Sequence, residues 1–368
     1  MIVIRPVSSS SDHSKFVAFP YKLNQNNQDW IPPLFLSQSG ILNPKKNPFW
    51  QRNHHCFFLA MQNGVCVGRI AAIIPEEHNR FFDSRDGFFG FLEAVNDSGV
   101  FHQLFEAAEQ FLKEEKCNRI IGPLNPTIHH ELGVIVDGFD QPSYYMLPQN
   151  PAYYGSHFAR HGYMKLRDFY SYKMKVNGFQ QIPEILRWKP NVNITIRHPR
   201  MNDFENELKI FFDIYNDAFL DHWGFFPISW NDFYYLAKDL KLILDPELVL
   251  IAEVLGQPAG FLLALPNLNE LLAKIKNGRL FPFGFYTLLF KRKTIKTLRV
   301  ITVAVKKKYQ PLGIGSILYP ALARKAFEKG FTEAELSWVV EDNTAMKKIA
   351  LRVGAKCNKT YRLYTGAL

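Results

Sequence analysis

The stretch Leu298–Gly330, LRVITVAVKKKYQPLGIGSILYPALARKAFEKG, decides how the rest of the chain is read. Leu298–Val305 is an apolar, β-branched run of the kind that forms a buried strand. Leu312–Lys329 has helical spacing, with Leu318, Leu322 and Phe327 on one apolar face and Gly330 just past the end. Between them stands Gln310-Pro311-Leu312-Gly313-Ile314-Gly315, followed by the small Ser316. Two glycines at a helix start let backbone N–H groups come close to an anion, and the helix dipole favours negative charge there. A pyrophosphate suits such a place. The spacing is neither that of the Walker A loop nor that of the dinucleotide G-x-G-x-x-G, and a glycine-rich turn into a helix is also a common structural device.

Outward from this stretch, the chain repeats itself at a constant offset, the sign of a duplicated architecture. Ile4-Arg5 returns as Ile196-Arg197, and the turn glycines Gly64 and Gly68 return as Gly256 and Gly260. Gly162 returns as Gly354, and Phe169 and Tyr172 return as Tyr361 and Tyr364. Each half reads as an opening strand, helical material, a hairpin, a strand, a long helix, a strand, a helix ending in Gly and a terminal strand. The expected fold is α/β (α+β): two tandem domains, each a mixed, mostly antiparallel sheet flanked by helices, at residues 1–177 and 194–368. The segment 178–193, with two prolines among polar residues, is the expected linker.

Composition narrows the function. A chain of 368 residues, 47% hydrophobic and 21% charged, suits two globular domains, and no stretch is long and apolar enough to span a membrane. The N-terminal sequence has no secretory pattern, so the expected location is the cytoplasm, with peripheral contact at a membrane left open. Four cysteines, Cys56, Cys66, Cys117 and Cys357, have no C-x-x-C spacing, which argues against a zinc knuckle or redox motif. His129-His130-Glu131 lacks the H-E-x-x-H spacing, and no metal is expected. The net charge of +10 suits DNA, an anionic membrane or a polyanionic co-substrate, and no nucleic-acid-binding motif accompanies it.

The Gln310–Gly315 segment resembles the Q/R-x-x-G-x-G/A motif of the GNAT (GCN5-related N-acetyltransferase) superfamily. The likeness continues through ELSWVVEDNTAMKKIALRVGA at 335–355, which matches that family's strand, Asn-headed helix and closing turn. GFFGFLEAVND, GVIVDGFDQP, ELSWVVEDN and KTYRLY further resemble a bacterial tandem-domain subgroup. The resemblance implies an acyl-CoA co-substrate, acetyl-CoA or a longer thioester. Its pyrophosphate would lie on Gln310, Pro311, Leu312, Gly313, Ile314, Gly315 and Ser316, and its thioester near Val303, Ala304 and Val305, with Asn343 and Met346 alongside. Lys306, Lys307 and Lys308 are either phosphate attractors or a solvated basic turn.

The N-terminal half departs from this pattern. Asn96-Asp97-Ser98-Gly99 has one glycine and an acid where the paired glycines should stand, and an aspartate repels a pyrophosphate. That half is read as a degenerate copy shaping the acceptor pocket, against a second active site. The tyrosine acid often found on the family's last helix is replaced by Ala350. Glu341 is the leading candidate for the proton acceptor, against a reading as a helix-start acid, and Glu93 is a second candidate, against core charge pairing. Trp338, Asn125, Asp137 and Tyr361 are candidate pocket residues.

An insertion, Asn267–Lys296, sets Leu268, Leu271, Leu272 and Ile275 among Lys274, Lys276 and Arg279, then runs FPFGFYTLLF into KRK. It reads either as a basic amphipathic surface for an anionic membrane or as a helix packed on the other domain. Three functions follow: acyl-CoA-dependent N-acylation of a small amine or amino acid, N-acylation of a lipid amine to a ceramide-like amide, or acyl-CoA binding without catalysis.

Overall fold

The computed structural model describes residues 1–176, 192–275, 277–281 and 284–368. The expected linker at 178–193 lies, but for its last two residues, outside them. The N-terminal half runs β1 (Ile2–Pro6), α1 (Ser10–Leu23), α2 (Phe35–Ile41), α3 (Pro48–Arg52), β2 (His55–Gln62), β3 (Val65–Ile73), α4 (Glu76–Phe82) and β4 (Asp86–Ala94). It continues with α5 (Ser98–Glu114), β5 (Arg119–Gly122), the short β6 (Leu124–Asn125), β7 (Glu131–Leu132) and β8 (Val134–Asp137), then α6 (Tyr153–His161) and β9 (Met164–Lys175). The C-terminal half runs β10 (Ile194–Arg197), α7 (Phe204–Phe219), α8 (Trp230–Ala237), β11 (Val249–Val254), β12 (Gln257–Pro266), α9 (Asn269–Leu272) and α10 (Gly284–Phe290). It ends with β13 (Thr297–Val305), α11 (Gly315–Glu328), β14 (Glu333–Val340), α12 (Thr344–Arg352) and β15 (Lys356–Ala367).

The elements gather into two compact units. Unit 1 comprises Met1–Asp168, Asn269–Arg292 and Lys359–Leu368; unit 2 comprises Phe169–Leu268 and Lys293–Asn358. Membership does not follow the chain halves strictly. The last strand of the N-terminal half lies mostly in unit 2, and the last strand of the C-terminal half lies mostly in unit 1 together with most of the insertion.

In unit 1 the strand order is β1-β2-β3-β4-β5-β15, with β8 also pairing β15; all pairs are antiparallel except β4 with β5. The amphipathic α5 covers one face, burying Val100, Phe101, Leu104, Phe105, Ala108 and Leu112. Tyr364 from β15 stacks on Phe158 with centroids 4.4 Å apart. Unit 2 repeats the plan in the order β9-β14-β13-β12-β11-β10, with β13 and β14 the parallel pair. There α7 packs Ile214 and Ala218 against Ile251, Phe261 and Ala304.

The expected helix at 312–329 begins later, at Gly315, and is preceded by a 3-10 turn over Lys307–Leu312. Pro311 lacks the N–H an α-helical turn would use, and Gly313, at φ 60°, takes the left-handed conformation that resets the chain before the helix.

Candidate functional site

In unit 2 the parallel ladder is short. Thr297–Val300 pairs with Glu333–Leu336 and the ladder ends there. On its other side β13 keeps its partner β12 throughout, with a bulge that skips Ile301 between Leu263 and Ala264. Val303, Ala304 and Val305 pair with Leu262, Phe261 and Gly260, so their second edge lies beyond the parallel ladder. An opened strand edge offers N–H and C=O groups to an extended ligand.

The strand leads straight to the N-terminus of α11. No side chain caps that helix, and its first turn carries no acid. Gly313 N–H donates back to Gln310 O at 3.0 Å and Ser316 N–H to Gly313 O at 2.9 Å, which holds the turn closed. The Gln310 side chain donates to Val305 O at 3.2 Å, tying the loop to the strand end. Pro311 has no N–H, so of the expected phosphate-binding residues it shapes the turn and donates nothing. A Cβ on Gly315 would meet only the Tyr319 ring, at 3.9 Å, so there is room above the helix start. An uncapped helix start with room above it fits an anion.

The lysines beside the loop are held by the chain itself. Lys306 pairs with Asp213, Lys307 N–H donates to Asp217 Oδ1 at 2.6 Å, and the Lys307 ammonium reaches Asp221 Oδ2 at 2.6 Å. These acids recur one helical turn apart on and just past α7, which sequence reading missed because they precede the loop by a whole hairpin. Lys308 stands over the Tyr309 ring at 4.6 Å.

The other expected residues of unit 2 lie at the start of α12 and the end of β14. Asn343 is the N-cap, its Oδ1 accepting from Met346 N–H at 3.0 Å. Glu341 is half-buried, and its backbone carbonyl accepts from Lys347 Nζ at 2.9 Å. The capping side chain of α12 is therefore Asn343. Trp338, half-buried on β14, faces the guanidinium of buried Arg299 at 5.1 Å. Ala350 is buried, but a tyrosine the sequence did not single out lies nearby: the Tyr319 hydroxyl on α11 donates to Met346 Sδ at 3.9 Å.

Unit 1 has the same strand opening, filled by its own residues. The β4–β5 ladder joins Asp86–Phe88 to Arg119–Ile121, and β4 bulges at Phe91, whose φ is 49°. Asn125 Oδ1 accepts from Phe91 N–H at 2.6 Å. Gly90 permits this approach, since a Cβ there would lie 1.8 Å from Leu124 O. Asp97 caps α5, its Oδ1 accepting from Gly99 N–H at 2.7 Å and Val100 N–H at 3.2 Å. Both places where the other half is open are closed here by side chains.

Glu93, Asn125, Asp137 and Tyr361 all belong to unit 1. Asn125 is spent on Phe91. Asp137 ends β8 exposed, and Tyr361 is fully buried on β15 opposite Ile135. Glu93 lies 3.9 Å from Arg69 and accepts from the Tyr154 hydroxyl at 3.4 Å. Burial pushes its carboxyl up to about 7, against the pull of Arg69 and Tyr154 and with Glu131 adding to the push. His130 accepts from or donates to the Thr127 hydroxyl at 2.9 Å, and burial lowers its imidazole to about 3. Among the described residues no group of three or more His, Cys, Asp or Glu could hold a metal ion, and no helix is long and apolar enough to cross a membrane.

The profile of the acetyltransferase (GNAT) family matches residues 211–355. A protein of Caulobacter vibrioides named bacterial ceramide synthase is 37% identical over 99% of this chain and 97% of its own length. Protein YghO of Escherichia coli is 33% identical over 98% of this chain and 94% of its own. Among solved structures, a tandem GNAT protein from the clavulanic acid biosynthesis pathway superposes with a TM-score of 0.58 at 10% identity, covering 100% of this chain and 98% of that one. The tandem neighbour shares the fold, and the two relatives, which span nearly the whole chain, establish together with the family profile that this chain is an acyltransferase belonging to the acetyltransferase (GNAT) family.

Proposed function

We propose that the protein transfers an acyl group from coenzyme A to the amine of a hydrophobic, lipid-like acceptor, and that unit 2 alone binds the thioester. The observation that carries the donor reading is the contrast between the two strand openings. The opening in unit 2 leads to an uncapped helix start, whereas Asn125 and Asp97 close the one in unit 1. The pyrophosphate lies on the amides at the start of α11, and the pantetheine arm extends along the free edge of Val303–Val305. Backbone N–H groups of that strand polarise the thioester carbonyl.

The amine nitrogen attacks the carbonyl carbon, the C–N bond forms and the C–S bond breaks. Glu341, at the end of β14, takes the ammonium proton, and the departing thiolate is protonated by solvent or by Tyr319, which burial keeps in its phenol form. The acceptor class is supported by the name of the full-length Caulobacter relative, bacterial ceramide synthase.

The test is a thiol-release assay with acyl-CoAs of increasing chain length. Acceptors are a micellar long-chain amino alcohol and, separately, water-soluble amines and amino acids, with the amide product identified by mass spectrometry. Acylation of the long-chain amine is expected. Turnover confined to soluble amines would overturn the lipid reading, and thioester binding with no thiol released would leave acyl-CoA binding without catalysis. Glu341→Gln should lower turnover at least about tenfold with CoA affinity unchanged. Unchanged turnover would remove Glu341 from the mechanism.

A further inference from the structure

The insertion turns two different faces to its surroundings. Leu271, Leu272 and Ile275 are buried. Asn269 Nδ2 donates to Ser143 O at 3.0 Å, and Gly278 O accepts from Phe35 N–H at 2.9 Å, both within unit 1. The apolar residues at 268–275, which in sequence suit a membrane-facing stripe, therefore pack inward.

α10 does the reverse. Gly284 is buried, whereas Phe285, Tyr286, Leu289 and Phe290 are 51–64% exposed, and Phe281, outside the helix, is 79% exposed. The rings of Phe281 and Phe285 stack at 6.3 Å and those of Tyr286 and Phe290 lie 4.8 Å apart, so the exposed rings group in two pairs that meet at neighbouring residues of the helix. Leu36 on α2, next to the Phe35 that bonds Gly278, is exposed as well. Single exposed apolar residues are ordinary, but a contiguous aromatic group on one short helix marks an interaction surface. It runs directly into Lys291-Arg292-Lys293, with Lys291 and Lys293 exposed, in a chain of net charge +10.

We propose that α10 docks unit 1 on an anionic lipid surface. Its aromatic side chains enter the boundary between headgroups and acyl chains, and the basic run lies against the lipid phosphates. Charge selects lipid over a second copy of the chain. A two-fold contact centred on α10 would bring the two basic runs together, because such interfaces use the same surface on both partners, and like charges repel. An anionic bilayer is complementary to both the apolar and the basic part. The inference stands on α10 alone; it suits a hydrophobic acceptor but does not require one.

The full-length protein should co-sediment with equimolar phosphatidylcholine and phosphatidylglycerol vesicles, less with phosphatidylcholine alone, and less as salt is raised. Phe285→Glu with Phe290→Glu should weaken vesicle binding at least about tenfold with unchanged thermal unfolding, since both side chains are exposed. Lys291→Gln with Lys293→Gln should remove the preference for phosphatidylglycerol. Absence of vesicle binding, or equal binding by wild type and the glutamate variant, would overturn the proposal. So would a self-association broken by Phe285→Glu, which would assign the face to a second copy. Acylation of a micellar amine, measured in parallel, should survive in the α10 variants, so docking and chemistry fail separately.

Discussion

Glu93 shows how much one side chain in this fold depends on its partners. Its carboxyl is 20% exposed, lies beside Arg69 and Tyr154 and feels the charge of Glu131. A carboxyl raised from 4.5 to about 7 binds its proton more tightly in the folded chain than in the unfolded one. Its contribution to stability is therefore complete below about pH 4.5 and is lost as pH rises through about 7. Glu93→Gln should remove that loss, making the variant about 2 kcal/mol less sensitive than wild type to a change from pH 5 to pH 8 in urea titrations. Parallel pH dependence of the two proteins would mean that Arg69 keeps Glu93 ionised throughout. Sequence reading could propose Glu93 and Asn125 but not what they touch. Arg69, Tyr154 and Phe91 reach them only through strand register and helix packing, which leave no local mark in the sequence.

The helices α5 and α11 are the same element used in two ways. Each follows a strand with a short parallel ladder, and each presents first-turn amides at its N-terminus, although in α11 the Gly313 and Ser316 N–H groups are bonded within the turn. Asp97 takes two of those amides in α5; α11 has no capping side chain. Gly315→Asp puts an acid at the first position of α11, where there is room for it and where helices accept acids well. The variant should fold normally and lose CoA affinity at least about tenfold by calorimetry. Gly99→Asp should leave CoA affinity unchanged, and equal losses from the two substitutions would show that unit 1 also binds the thioester.

This contrast was legible in the sequence, because paired glycines and a lone aspartate at a helix start are local signals. The sequence did not reveal the 3-10 turn set by Pro311 and Gly313. Nor did it separate the insertion into inward-packed leucines and an outward-facing α10, because both stretches are equally apolar and only packing distinguishes them.

For the molecule as a whole, the repeat, the hairpins and the mixed sheets were all visible in the sequence, since their periods and turn glycines are short-range. Strand membership was not, because pairing across most of the chain has no sequence signature. β15 is bound into unit 1 from Lys359 onward. It pairs with β5 and β8, Arg362 forks onto Asp168 at 2.7 and 2.9 Å, and Lys359 donates to Gly138 O and Gln141 O at 2.6 and 2.7 Å. Removing Lys359–Leu368 should raise amide exchange and protease sensitivity across residues 1–168, most of all in β5 and β8. Unchanged protection there would mean that unit 1 is complete without β15.

The placement of β15 also governs how the chain is born. Residues 359–367 leave the ribosome after every residue of unit 2, so the unit that begins first finishes last. While the whole of unit 2 is synthesised, the nascent chain carries β5 as an open edge and Phe158 without the ring that stacks on it. Open strand edges invite wrong pairing. Unit 2 can therefore close before unit 1, which stays open to wrong pairing at β5 until its last residues are made.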